Sequence, residues 1–136
     1  MNAVTNYFSI NKYNEMNEDG FKKLYPKALI VDDELDTCLL LGMLLKKFGI
    51  PSLKVHTLAD GFEKLISEKP QLIFLDNNLP DGTGIERIAS FRQQLPNAKL
   101  VMITAISSLR EQALALGADG FIEKPLDIRK IESVLI

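Results

Sequence analysis

From residue 27 onward the chain alternates short, unbroken apolar runs with longer segments whose apolar residues recur at helical spacing. The runs ALIV, LIFL and LVMI, with SLKVHT and the stretch around Phe121, predict strands over 28–32, 52–56, 72–76, 100–104 and 120–123. Unbroken apolar runs suit strands covered on both faces, and strands alternating with helices suit βαβ units in a parallel sheet. SLKVHT alternates apolar and polar positions, which places it at a sheet edge. The segments between predict helices over about 34–48, 59–68, 83–94, 108–116 and 128–136. Five βα units fit one doubly wound α/β sheet with helices on both faces.

The punctuation agrees with these elements. Gly49 and Pro51 close the first helix, Pro70 the second, Pro96 the third and Gly117 the fourth. Thr83, with Glu86 three residues on, is expected to cap the third helix, and Asp127 the last. The stripe Leu35, Leu39, Leu45 and Phe48 is expected to be core, and Cys38 a small buried hydrophobe. Residues 1–26 stand apart from the remainder, 27–136. They hold all three tyrosines and no clear period; a docking segment, a packed extra helix near 21–25 and a flexible tail are the alternatives, with a tail or a loosely packed helix expected.

Composition narrows the function classes. A chain of 136 residues with 46% hydrophobic and 25% charged residues is an ordinary globular mix of one-domain size. A net charge of −2 offers no electrostatic case for nucleic acid or an acidic membrane surface. One cysteine, Cys38, and one histidine, His56, exclude an internal disulfide and a Cys/His zinc cluster. His56 reads as a strand-end histidine. The longest apolar run, Cys38 to Leu45, falls far short of the roughly 20 residues of a membrane span. No signal peptide is visible, so a cytoplasmic protein is expected.

The chemistry gathers at strand ends. In a doubly wound sheet functional groups collect beyond the carboxyl ends of the strands. The first strand runs into Asp32, Asp33 and Glu34, the third ends in Asp76, the fourth in Thr104, and the fifth in Glu123, Lys124 and Pro125. Carboxylates held close repel one another, which raises a pKa or recruits a cation. Oxygen donors without Cys or His favour a hard ion such as Mg²⁺. A lysine and a hydroxyl nearby complete a pocket for an anion, and this suits phosphoryl transfer. A strand-end aspartate can itself be the nucleophile, giving an aspartyl-phosphate.

The motifs LIVDDE, LDNNLPDGTG, MITA and GADGFIEKP, in this order, resemble the receiver domain of two-component response regulators, over about residues 27 to 136. The resemblance implies a flavodoxin-like sheet of order 2-1-3-4-5. It implies that Asp76 accepts a phosphoryl group from a phosphohistidine on a sensor histidine kinase or phosphotransfer protein. Asp33 matches the direct Mg²⁺ ligand, Asp32 its acidic neighbour, and the Asn78 carbonyl a further ligand beside Asp76. Thr104 and Lys124 match the hydroxyl and ammonium that close on the phosphoryl group. Phe121 matches the aromatic half of the switch, and the Lys124-Pro125 bond is expected to be cis. Asn78 and Ile106 sit at positions that tune the lifetime of the phosphate.

The resemblance also implies an output face near the fourth helix and the chain end, here carrying Leu109, Leu114, Ile131, Leu135 and Ile136. A final helix of about nine residues is short for the family. With no DNA-binding segment after Ile136, the expected partner is a downstream protein or an output domain, without nucleic-acid or membrane contact by this chain. The expected role is a phosphoacceptor switch and not an independent enzyme. Two rivals remain: a receiver-like binding module that is never phosphorylated, and a small Mg²⁺-dependent phosphatase. Such phosphatases commonly need a second acid two residues after the nucleophile, where this chain has Asn78.

Overall fold

The computed structural model describes residues 18–136. Its five apolar runs form one parallel sheet: β1 Ala28–Val31, β2 Ser52–Val55, β3 Leu72–Asp76, β4 Lys99–Thr104 and β5 Gly120–Glu123. The order is β2-β1-β3-β4-β5, so the sheet is doubly wound as the pattern predicts. β2 is the edge strand expected from its alternation, with only Val55 buried.

Period two along the strands divides the core into two layers. Ala28, Ile30, Leu72, Phe74, Val101, Ile103 and Ile122 face one side. There they meet α1 Glu18–Leu24, α2 Leu35–Lys47 and α6 Ile128–Leu135 through residues such as Phe21, Leu41, Leu45 and Ile131. Leu29, Val31, Ile73, Leu75, Leu100 and Met102 face the other side. They pack on α3 Leu58–Glu68, α4 Ile88–Gln94 and α5 Arg110–Ala115 through Leu65, Ile88, Phe91 and Ala113. Register is in phase across the sheet, since Val31 pairs with Val55 on one side and Leu75 on the other, and Asp76 pairs with Ile103. In-phase parallel strands bring their carboxyl ends to one edge, which is what gathers the polar residues.

Several local expectations hold. Asp127 caps α6 by accepting from the Lys130 N–H at 2.8 Å. Gly49 follows α2 with φ 76°, a left-handed conformation that favours glycine. Cys38 is buried and its thiol donates to the Asp32 carbonyl at 3.2 Å. The Lys124-Pro125 bond is cis.

Three expectations are corrected. Thr83 does not cap the third helix. It lies in a two-stranded hairpin, Asn78–Leu79 with Gly82–Thr83, and a 3₁₀ turn Ile85–Arg87 precedes α4. The first turn is instead tied back to Asn77, whose side-chain oxygen accepts from the Ile85 N–H at 3.1 Å. Leu35 and Leu39 are not core; they are exposed on the outer face of α2, while Leu45 and Phe48 are buried. The helix near Phe21 is not loosely packed, because Phe21 is fully buried and meets Phe48 edge to face at 5.4 Å. The folded unit therefore starts before residue 27; the remainder of the expected tail, residues 1–17, lies outside the described residues.

Candidate functional site

β1 and β3 each deliver a carboxylate to the same edge because their apolar runs end in register. Asp32, one residue past β1, is fully buried, and Asp76, the last residue of β3, is 3% exposed. Asp33 stands beside them, exposed. Each of the three offers an oxygen, and these oxygens lie within 4.8 Å of one another. Asp32 and Asp76 thus come together as a buried like-charged pair, with Asp33 at the rim.

Lys124, one residue past β5, answers that charge. Its Nζ lies 2.9 Å from Asp32 Oδ2, 2.6 Å from Glu34 Oε1 and 3.4 Å from Asp76 Oδ1. Burial opposes the ammonium, but hydrogen bonds to Glu34 and Asp32 and the charge of Asp76 outweigh it and hold Lys124 above the ordinary lysine range. For Asp76 the balance runs the other way. Burial and the charge of Asp32 push its carboxyl up to about 6, although Lys124 and a 2.8 Å bond from the Asn77 N–H pull it down. The ammonium is shared among three acids and only partly relieves the innermost one.

Thr104 ends β4, one residue past the Ile103 that pairs with Asp76, and is fully buried. Its hydroxyl accepts from the Ile106 N–H at 3.1 Å, which fixes the turn leaving the strand. Asn78 opens the hairpin two residues after Asp76 and is exposed. Phe121 is buried in the second core layer at 8% exposure, and the Arg110 guanidinium lies 5.9 Å from its ring centroid. Leu109 and Leu114 lie toward the surface, whereas Ile131 and Leu135 are core. His56 is exposed at the end of β2, with Nδ1 2.9 Å from the Asp32 carbonyl.

The loop after Asp76 is fixed by two residues that the sequence pattern did not single out. Asn77 is buried, and its carbonyl accepts from the Gly84 N–H at 2.8 Å, folding the hairpin back toward β3. A Cβ on Gly84 would stand 2.1 Å from the Asp76 carbonyl oxygen, so only glycine permits this approach. Asp81, at the hairpin tip, accepts from the N–H groups of Leu58 and Ala59 at 2.8 and 3.0 Å, at the start of α3. These bonds hold its carboxyl below the ordinary aspartate range. Glu34, named in the sequence only as third in the acidic run, makes the shortest contact with Lys124. Asp81 lies within the LDNNLPDGTG motif, but the distant amides it binds are not legible there.

The donor set can be tested against a cation. Oxygen ligands of Mg²⁺ at 2.0–2.1 Å stand no more than about 4.2 Å apart across an octahedron. The Asp32, Asp33 and Asp76 oxygens lie within 4.8 Å of one another, a separation of that order, with Asp33 on the exposed side. Three carboxylates without sulfur or imidazole are the donors of a hard cation, so the residues fit.

The chain belongs to the response regulator receiver domain family, whose model matches residues 28–136. It is 35% identical over 111 residues to the response regulator protein PilR of Pseudomonas aeruginosa, covering 80% of this chain and 25% of that protein. It is 35% identical over 110 residues to the KDP operon transcriptional regulatory protein KdpE of Escherichia coli, covering 79% of this chain and 48% of that protein. The chain therefore spans a quarter to a half of the length of these relatives. Among solved structures it superposes on a CheY-like receiver domain from Methylobacillus flagellatus with a TM-score of 0.73 at 29% identity, covering 80% and 94% of the two chains. A two-component response regulator from Clostridium difficile gives 0.73 at 30%, with the same coverage. No helix among the described residues is long and apolar enough to cross a membrane.

Proposed function

We propose that this receiver domain is a phosphorylation-dependent switch in which Asp76 accepts a phosphoryl group from a phosphohistidine of a sensor kinase or phosphotransfer protein. The observation that carries the reading is the placement of Asp76, buried at a strand end, 3.4 Å from the Lys124 ammonium and clustered with Asp32 and Asp33. An Asp76 carboxylate oxygen attacks phosphorus as the P–N bond breaks, and the electron pair of that bond returns to the imidazole nitrogen. Asp32, Asp33 and the Asn78 carbonyl are the groups to hold Mg²⁺ beside Asp76, and when bound the ion neutralises charge on the phosphoryl oxygens.

The chain's own groups do the rest. The low exposure of Asp76, 3%, limits the access of water to the nucleophile. Lys124 is positioned to pair with the incoming anion, exchanging part of its contact with Glu34 and Asp32 for a phosphoryl oxygen. Thr104 gives up the Ile106 N–H to donate to the same group, which draws in the turn after β4. The Thr104 movement and the adjoining Phe121 together form the two-state element that a downstream protein or output domain reads. This is a single covalent event on the chain itself, without turnover of a separate substrate. The regulatory names of the longer relatives support an output of this kind.

The test is intact mass after incubation with acetyl phosphate, with and without Mg²⁺, on wild type and Asp76→Asn. A single phosphoryl adduct that requires both Mg²⁺ and Asp76 is expected. A folded wild-type chain that takes up none would leave the phosphorylation-independent binding module as the better reading.

A further inference from the structure

The Asp32 carbonyl is held by two side chains that the phosphoryl chemistry does not use. Cys38 Sγ donates to it from α2 at 3.2 Å, and His56 Nδ1 stands 2.9 Å away at the end of β2. A carbonyl oxygen only accepts and has two lone pairs, so it takes both donors and assigns the His56 proton to Nδ1. The donors adjoin, with Sγ 3.9 Å from Nδ1.

The end of the sheet explains why donors are needed there. Val31 and Val55 are the last residues paired between β1 and β2, and the Asp32 N–H still reaches the Val55 carbonyl at 3.1 Å. One more step of the parallel ladder would bring the Thr57 N–H to the Asp32 carbonyl. Thr57 instead caps α3, its hydroxyl accepting from the Asp60 N–H at 3.0 Å. The ladder therefore stops short of the acids. Asp32 is fully buried, and a buried carbonyl must find its partners elsewhere.

That carbonyl belongs to the planar peptide unit joining Asp32 to Asp33. Fixing its direction fixes the plane from which Asp33, exposed at the rim, projects. The Asp32 carboxylate is tied to the same turn, since Oδ1 accepts from the Glu34 N–H at 2.8 Å and Oδ2 lies 2.9 Å from Lys124 Nζ. We propose that His56, with Cys38 as second donor, is a positioning residue that presets the Asp32–Asp33 turn for a divalent cation. This role rests on the reading, given above, that these acids hold Mg²⁺. His56 grips the turn from the sheet and Cys38 grips it from the helix. Groups standing behind a metal's ligands commonly change its affinity by about 10–100-fold.

MgCl₂ titration of the full chain followed by NMR tests this, with amide exchange measured before metal is added. His56→Leu keeps bulk but removes the donor, and the fold should survive because His56 is exposed. Its Mg²⁺ affinity should fall about tenfold, the low end for such groups, and the Glu34 amide should exchange faster in the metal-free chain. His56→Asn, which keeps a side-chain N–H near the place of Nδ1, should recover most of both effects. Wild-type affinity in His56→Leu overturns the proposal. An equal loss in His56→Leu and His56→Asn overturns it too, because the ring and not its N–H would then matter. A wild-type chain that binds no Mg²⁺ overturns the metal reading itself. That result is told apart from failure of the positioning role by the Glu34 amide, which reads the turn without metal.

Discussion

The Lys124 ammonium lies 3.4 Å from Asp76 but closer to Asp32 and Glu34, so the cation of the site is held mainly by neighbours of Asp76. Lys124→Ala removes the counter-charge from three carboxylates at once. The Asp76 carboxyl should then titrate above about 6, and the rate of adduct formation with acetyl phosphate should fall at least about tenfold at pH 7. Intact-mass kinetics and a pH titration read the two effects separately. Glu34→Gln, which removes only the outermost partner, should lower the rate much less.

Asp76 should make stability pH-dependent in a particular direction. Its folded pKa of about 6 exceeds the ordinary 3.8, so between those values the folded chain keeps a proton that the unfolded chain has released. Stability from this group is therefore present at low pH and lost as pH rises through the window from about 4 to 6. Asp76→Asn removes that loss. At pH 7.5 the variant should be more stable than wild type by up to about 3 kcal/mol, and the gain should shrink toward pH 4. Urea unfolding at several pH values checks this; a gain independent of pH would assign the burial penalty elsewhere.

Asp81 ties the loop after Asp76 to the start of α3 through two amides. In Asp81→Ala those N–H groups lose their acceptor, and hydrogen exchange at Leu58 and Ala59 should quicken while amides in the middle of β3 remain protected. The low carboxyl pKa means the clamp is in force above the ordinary aspartate range and is released only as pH falls through the lower, folded value. Since the same loop carries Asn78, the variant should also bind Mg²⁺ more weakly, which isothermal titration would register.

Gly84→Ala would place a methyl group 2.1 Å from the Asp76 carbonyl oxygen, against backbone that cannot yield. The hairpin should separate from β3, with a loss of phosphoryl uptake larger than any loss of secondary structure. Circular dichroism alongside the acetyl phosphate assay distinguishes local damage from unfolding. Full uptake in a folded variant would show that the hairpin need not sit against Asp76 for the chemistry.

β1, β3 and β4 were legible as unbroken apolar runs closed by a polar group, and β2 by its alternation; the Asp76 terminus of β3 is read directly from LIFLD. The acidic pair and Lys124 were legible for the same reason, since parallel register converts separate strand ends into one cluster. What escaped the pattern depends on direction around a helix or on distant amides. Leu35 and Leu39 share the spacing of core leucines but lie on the far side of α2, and only the positions of Cys38, Leu41 and Leu45 reveal which side is inner. Thr83 and Glu86 match a capping box by spacing alone, yet the close approach of Gly84 to β3 turns that segment into a hairpin. Asp81 reads as a turn residue because its partners, Leu58 and Ala59, are over twenty positions away. Phe21 belongs to a stretch with no period, so nothing local distinguishes it from a solvent-facing residue.

Its burial has a consequence for where this molecule can be cut. Phe21 abuts Phe48, while Tyr25 reaches across to donate to the Leu135 carbonyl at 3.3 Å and lies beneath the Lys99 ammonium at 5.6 Å from its ring centroid. Lys99 in turn donates to the Val134 carbonyl. The segment ahead of the family boundary thus works as a plug, and it latches the closing helix as well as filling the base of the core. A fragment trimmed to residues 28–136 would keep every group around Asp76 yet open a hydrophobic hole beneath α2 and free α6 at its far end. Loss of a buried phenylalanine alone costs about 3–5 kcal/mol, so that fragment should melt well below the intact chain, with α6 amides the first to exchange.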